Sequence, residues 1–172
     1  MIYVIEGPNY SGKTTVSRAL GKHMDLPIFT DLGRRRGNSL IPLEMPRDWV
    51  IQGLQSALDI AAFSNQFKFV VDRWVLTNIV YDDRRGYSWP AGSLREIISI
   101  AYAKVYLLNV RPLELINRSR NDREDLKTID DANFLCSSYK MASKLFKAAG
   151  GFIVNIDGEK KPGDIVDEIL RK

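Results

Sequence analysis

Glu6-Gly7-Pro8-Asn9-Tyr10-Ser11-Gly12-Lys13-Thr14-Thr15 is the stretch that decides how this chain is read. Gly7, Gly12, Lys13 and Thr14 stand on the fixed positions of G-x-x-x-x-G-K-[ST]. The flanks supply the context that the motif requires. Ile2 to Ile5 is a short apolar, β-branched run, which predicts a buried strand. From Lys13 the pattern turns helical, with Val16, Ala19, Leu20 and His23 on one side. The glycines let the backbone curl so that its N–H groups point inward at a phosphate. The helix that follows aims its unpaired N–H groups and positive dipole end at the same place. Lys13 can reach the outer phosphates, and the Thr14 hydroxyl can ligate Mg²⁺. The expected nucleotide-binding set is Gly7, Asn9, Tyr10, Ser11, Gly12, Lys13, Thr14 and Thr15. The plain alternative, a glycine turn at a strand end, does not account for the full motif in full context.

Outward from that stretch, 172 residues predict one α/β domain over the whole chain, with a proper core. Hydrophobic residues are 45% and charged residues 27%, ordinary proportions for a globular protein. No apolar run approaches a membrane span. The first strand starts at residue 2, which leaves no room for a targeting segment and predicts a cytoplasmic location. The single cysteine, Cys136, excludes an internal disulfide and reads as a small core residue. His23, the lone histidine, falls at a helix end, where it compensates the dipole rather than catalyses. The net charge of +4 favours anionic partners, and a nucleotide enzyme already explains it.

Strands and helices alternate to the end of the chain, which predicts a parallel sheet covered on both faces. Expected strands are Ile2 to Ile5, Ile28 to Thr30, Phe67 to Asp72, Lys104 to Val110 and Phe152 to Ile156. The expected architecture is therefore a P-loop three-layer αβα domain with a five-stranded parallel sheet. Helices are expected from about Trp49 to Ser64, Val75 to Tyr81, Ser93 to Tyr102 and Asp130 to Ala149. Ser93-Leu94-Arg95-Glu96 reads as a capping box. Pro112 opens a helix at its first position. Asp82 to Tyr87 reads as a charged loop.

Three clusters bear on the reaction. Asp72-Arg73 ends the third strand, where ligands bind in such sheets. Asp72 is the acid that a phosphate loop pairs with to hold Mg²⁺. Arg73 offers a fork to a phosphate, or a structural pair to Asp31 or Asp72. Arg118, Arg120 and Arg123 crowd a segment at about 117–128 that reads as an arginine-rich lid neutralising transferring charge. Its alternative is a solvated basic face with Asp122 and Glu124 as partners. Arg34, Arg35, Arg36, Arg84 and Arg85 lie in two loops, either for solubility or to attract a polyanionic acceptor such as DNA. Trp49, Tyr81, Tyr87 and Trp89 are aromatics that could stack a base, although a buried aromatic is more often core.

With these residues in hand, the chain resembles the thymidylate kinase and deoxynucleoside kinase superfamily of P-loop kinases over nearly its whole length. Glu6 to Thr15 matches Glu-Gly-x-x-x-x-Gly-Lys-Thr-Thr. Asp72-Arg73-Trp74 matches Asp-Arg-Tyr. Val80-Tyr81-Asp82 corresponds to Ala-Tyr-Gln, Arg118 to Glu124 to the lid, Tyr139 to a lid-helix tyrosine, and Val154 to Asp157 to the strand before the adenine loop. The resemblance implies ATP as donor with Mg²⁺ on Thr14 and Asp72. It implies Lys13, Asp31, Arg73, Arg118 and Arg123 as catalytic, Asp31 being the acid near the acceptor. It places Asp31, Trp49, Gln52, Arg73, Tyr81 and Asp82 around the acceptor, and by analogy it implies a homodimer. The departures all fall on the acceptor side. Asn9 replaces a frequent Asp, Asp31-Leu32-Gly33 replaces Arg-Glu-Pro-Gly, and Gln52 or Gly53 stands where a base-reading arginine is usual. Asp82 takes the place of a glutamine, and an ionised Asp cannot donate.

The favoured expectation is phosphoryl transfer from ATP to a deoxynucleotide or nucleoside. A second keeps the chemistry but places the acceptor hydroxyl on a modified base in DNA, as in kinases of 5-hydroxymethyluracil DNA. A third, a GTP-dependent switch, needs an Asn-Lys-x-Asp after a strand, and Asn109-Val110-Arg111-Pro112 does not supply it.

Overall fold

The computed structural model describes residues 1–30, 46–84, 86–119 and 126–172, with no side-chain description for 46–50. Among these residues, five strands form one sheet: β1 (Ile2–Glu6), β2 (Ile28–Thr30), β3 (Phe69–Asp72), β4 (Ala103–Asn109) and β5 (Ile153–Asp157). Their order is β2-β3-β1-β4-β5. Every pairing is parallel. The described helices are α1 (Lys13–Met24), α2 (Pro46–Phe63), α3 (Val75–Asp83), α4 (Ala91–Ile100), α5 (Pro112–Ser119), α6 (Ile129–Ala148) and α7 (Pro162–Arg171).

β1 is apolar from Ile2 to Ile5 because it lies at the centre, with β3 on one side and β4 on the other. Successive residues of a strand face opposite ways. Ile2 and Val4 pack with Val71, Val105 and Leu107 under α2, α3, α4 and α6. Ile5 packs with Val70, Tyr106 and Leu108 under α1 and α7, where Val16, Leu20, Ile165 and Ile169 close the other layer. Both faces are thus covered, as the alternation of elements predicted.

The strand order reverses at β1. The chain leaves β1 for β2 on one side and, after β3, crosses to β4 on the other. Ligands in such sheets sit in the crevice outside the carboxyl ends at that reversal. The carboxyl end of β1 is Glu6-Gly7, and that of β3 is Asp72-Arg73, with Ile5 in register with Asp72.

Element ends moved in a few places. β3 starts at Phe69, not Phe67, because Phe67 still bonds back to Phe63 at the end of α2. The charged loop expected at Asp82 is instead the last turn of α3, and Asp82 is buried. Ser93 does not cap α4. Pro90, at φ −61°, sets the chain up so that the helix opens at Ala91, with Ser93 already inside the first turn. The capping box lies at the start of α6, where Thr128 and Asp131 satisfy each other's backbone N–H.

Candidate active site

The turn from Gly7 to Gly12 carries three left-handed or unusual backbone positions: Gly7 at φ 147°, Tyr10 at φ 65° and Gly12 at φ 91°. A Cβ on Gly7 would lie 2.8 Å from the Leu108 carbonyl oxygen, so only glycine lets the loop pass that close to β4. Gly12 flanks α1, and no side chain caps the helix there. The first N–H groups of α1 therefore point into the mouth of the loop. Ser11 Oγ is buried with no hydrogen-bond partner among the described residues. Lys13 is buried, and its ammonium donates to the Pro8 carbonyl oxygen at 2.5 Å, across the loop.

Asp72 reaches this loop from the neighbouring strand. Thr14 Oγ1 donates to Asp72 Oδ2 at 2.5 Å. Asp72 Oδ1 is buried and has no hydrogen-bond partner among the described residues. Arg73 follows at φ 77°, a left-handed position held by an arginine. Its backbone N–H donates to Ile5 O at 3.1 Å. Its Nη2 donates to Asn9 Oδ1 at 2.9 Å, which brings the guanidinium over the phosphate loop.

Arg118 arrives from the far side. It ends α5, where Nε donates to Glu114 Oε1 at 2.8 Å, and Nη1 donates to the Gly158 carbonyl oxygen at 3.1 Å. Its Nη1 is also the nearest group to a Cβ built on Gly12, at 4.0 Å. Beyond it, a cavity of 540 Å³ opens at the carboxyl ends of β4 and β5, lined by Asn109, Val110, Arg111, Asn155, Ile156, Asp157 and Glu159. Arg111 and Glu159 pair along its rim at 2.6 Å. That pairing lifts the arginine's pKa and holds the Glu159 carboxyl below its usual range.

The acceptor-side residues are only partly described. Asp82 is buried on α3, and its Oδ2 accepts from Trp89 Nε1 at 2.8 Å. Trp89 is thus half-buried against the core with its polar edge on Asp82. Tyr81 is half-buried, and the Arg84 guanidinium stacks 5.9 Å from its ring centre and 5.5 Å from that of Phe134. Gln52 is half-buried on α2. Thr15 is exposed on α1. Asp31, Arg34, Arg35, Arg36, Arg85, Arg120, Asp122, Arg123 and Glu124 lie outside the described residues, as does the side chain of Trp49. Cys136 is half-buried with its thiol on the Val110 carbonyl, and burial pushes its pKa up.

Glu6 opens the motif, and the sequence pattern assigns it no role. It is fully buried and accepts N–H groups from Trp74 at 2.7 Å, Leu76 at 3.0 Å and Thr77 at 3.3 Å. Its second oxygen accepts the Thr77 hydroxyl at 2.6 Å. Burial pushes the Glu6 carboxyl above its ordinary pKa despite these bonds. The available signal was an acid ending an otherwise apolar central strand, a placement that demands partners.

No family model and no curated protein matches the chain. Solved structures do. The chain is similar to YorR from Bacillus subtilis, a structure in complex with phosphorylated GDP, at 22% identity and TM-score 0.77, covering 99% of this chain and 94% of that one. It is similar to deoxyadenosine kinase from M. mycoides with bound dATP, at 15% identity and TM-score 0.68, covering 99% and 98%. It is also similar to shikimate kinase from Aquifex aeolicus, at 16% identity and TM-score 0.61, covering 99% and 94%. These likenesses span the whole domain and show the fold of the P-loop kinases.

Proposed function

We propose that this chain, which has the fold of the P-loop kinases, transfers the terminal phosphoryl group of ATP to a deoxynucleotide or nucleoside. The observation that carries the reading is the pair beneath the loop. Thr14 Oγ1 meets Asp72 Oδ2 at 2.5 Å, while Asp72 Oδ1 is buried with no hydrogen-bond partner among the described residues. A hydroxyl and a carboxylate at one point are the hard oxygen donors that suit Mg²⁺. Bound there with ATP, Mg²⁺ would neutralise charge on the outer phosphate oxygens.

The chain's own groups do the rest. The uncapped N-terminus of α1 and the loop amides hold the phosphates. Lys13 supplies positive charge from inside the loop. Arg73, steered by Asn9, faces the transferring group from the β3 side, and Arg118 faces it from the β5 side. Charge that spreads over the equatorial oxygens during transfer is thereby met from two directions. The cavity at the ends of β4 and β5 adjoins Gly158, the partner of Arg118, and is the place for the donor's base. Asp31 as the acid near the acceptor and Arg123 as a lid arginine remain part of the proposal on the strength of the resemblance. Trp49, Gln52, Tyr81 and Asp82 around the acceptor, and a homodimer, rest on the same ground.

The names of the neighbours support a nucleotide. YorR was captured with a phosphorylated GDP, and the M. mycoides enzyme is a deoxyadenosine kinase holding dATP. The second reading places the acceptor hydroxyl on a modified base in DNA and draws on Arg34, Arg35, Arg36, Arg84 and Arg85. Arg84 weakens it, because that guanidinium is already stacked on Tyr81 and Phe134.

The test offers γ-labelled ATP with deoxynucleosides, their monophosphates and an oligonucleotide containing 5-hydroxymethyluracil, side by side. Label should appear on a monomer. Label on the oligonucleotide alone selects the second reading. No transfer to any acceptor, with slow release of bound GTP, sinks both and favours a switch.

A further inference from the structure

We propose that Glu6, backed by Thr77 and Tyr139, is the positioning residue that holds Arg73 in its working conformation. The proposal rests on the phosphoryl-transfer reading, since it assigns Arg73 to the transferring group.

Arg73 stands at φ 77°. A non-glycine residue there is strained and stays only where its surroundings over-determine it. Here the surroundings are β1. On one side of the turn, the Arg73 N–H bonds Ile5 O at 3.1 Å. On the other, the Trp74 N–H bonds Glu6 Oε1 at 2.7 Å. Two consecutive residues of the central strand thus grip two consecutive N–H groups of the turn.

The grip extends into α3. Glu6 Oε1 also takes the N–H groups of Leu76 and Thr77 at the start of that helix. Trp74, which flanks α3, has no side-chain cap of its own to offer, so a carboxylate from another strand caps the helix. That placement also sets negative charge at the positive end of the helix dipole. Removing it would free the first turn of α3 and, with it, the residue just before.

Behind Glu6 the network continues to a different element. Glu6 Oε2 accepts from Thr77 Oγ1 at 2.6 Å, and Thr77 Oγ1 lies 2.9 Å from the hydroxyl of Tyr139 on α6. Tyr139 is fully buried, and its phenol is held well above its ordinary pKa by burial and by Glu6. The chain from α6 through Thr77 and Glu6 to Arg73 contains no exposed member before the guanidinium itself. Arg73 alone projects from it, on to Asn9. The side-chain hydrogen bonds of Glu6 go to Trp74, Leu76 and Thr77, so its route to the transferring group runs through the turn that carries Arg73.

The test uses Glu6→Gln, Thr77→Val and Thr77→Ser, with Arg73→Ala as the reference background. Glutamine keeps the shape but gives up the carboxylate's charge, which weakens its hold on the N–H groups of Trp74, Leu76 and Thr77. We measure kcat per ATP-binding site, ATP affinity and melting temperature. Glu6→Gln and Thr77→Val should lower kcat about tenfold or more, the scale that a small misplacement of a catalytic group produces. ATP affinity should change less than about twofold, because the loss falls on the transition state. Thr77→Ser should restore most of the rate. In the Arg73→Ala background, Glu6→Gln should cost nothing further.

Wild-type kcat in Glu6→Gln overturns the proposal, and so do losses that multiply with those of Arg73→Ala. A lower melting temperature with unchanged kcat per site makes Glu6 a structural residue only and also overturns it. A wild-type protein that phosphorylates nothing defeats the transfer reading instead. A crystal structure of Glu6→Gln then decides the geometry: Arg73 retaining its positive φ and its bond to Asn9 overturns the proposal, and Arg73 leaving them supports it.

Discussion

Lys13 and Gly21 lie on the same helix and show two ways in which one side chain, or its lack, governs this protein. Lys13 is only 3% exposed, yet its ammonium crosses the loop to the Pro8 carbonyl. If the chain transfers a phosphoryl group as proposed, Lys13→Ala removes a group whose charge matters most during transfer. Such losses typically cost about 10²–10³ in rate. We expect that drop in kcat at saturating ATP, with the fold retained by circular dichroism. Turnover near wild type would refute the loop's role. Gly21 is a glycine inside α1, where alanine would ordinarily stabilise by about 1 kcal/mol. Here the sign reverses. A Cβ at Gly21 would fall 2.5 Å from Ile28 Cγ1 and 3.1 Å from the Leu26 carbonyl oxygen. Gly21→Ala should destabilise by about 1–3 kcal/mol through overpacking. Urea denaturation checks it, and a midpoint at or above wild type would mean that β2 moves aside freely.

At the scale of elements, three helices differ in what meets their first N–H groups. The N-terminus of α6 is closed by its own Thr128–Asp131 box. That of α3 is closed by Glu6 from β1. That of α1 carries no side-chain cap and faces the site. On the proposed reading the uncapped end is the one left open to a phosphate, whose place a cap would occupy. The last helix, α7, is pinned by charge at both ends. Lys160 and Lys172 bond Glu168 at 2.8 Å and 2.7 Å and lower its pKa from 4.5 to about 2. A depressed carboxylate pKa contributes stability that is complete above the unfolded value and is lost as pH falls through the folded one. The contribution should therefore fade between pH 4.5 and about 2, and it is small because the pair is near the surface. Glu168→Gln should flatten that part of the acid limb in melting curves, and high salt should do the same to wild type. An unchanged acid limb in the variant would show that the bridge contributes nothing.

At the scale of the molecule, the proposed reading sets donor and acceptor on opposite sides of β1, where the strand order reverses. On the proposed reading, the cavity at the ends of β4 and β5, next to the partner of Arg118, takes the donor. The segments that carry Arg34 to Arg36 and Arg84-Arg85 are expected on the acceptor side from their place in the sequence, after β2 and α3. A free nucleotide needs one or two arginines, so neutralising Arg35 and Arg36 together should change its KM little and leave a mild salt dependence. A DNA strand would instead give about 0.7–0.9 units of log–log salt slope per phosphate contact. The double variant would then bind oligonucleotide more weakly with a shallower slope. We expect the mild response. Tight, steeply salt-dependent oligonucleotide binding, with no transfer to a monomer, would reverse the assignment.

What the sequence determined by itself is local in origin. Gly7, Gly12, Lys13 and Thr14 announce their loop because its backbone geometry and the helix after it depend on neighbours a few residues away. Apolar runs with period two or none, alternating with helical periods, announced the parallel sheet for the same reason. Asp72 was legible because it ends an apolar strand. Tertiary structure alone decided the rest. The burial of Asp82 against Trp89 and the close approach of Gly21 to Ile28 depend on how helices lie over the sheet, which no pattern within one segment encodes. Arg118 meets Gly12 and Gly158 only because β4 stands beside β1 and β5 beside β4. Glu6 is the clearest case. Its partners lie 68 to 71 residues away, and a long-range hydrogen-bond network leaves no periodic trace in the residues that make it.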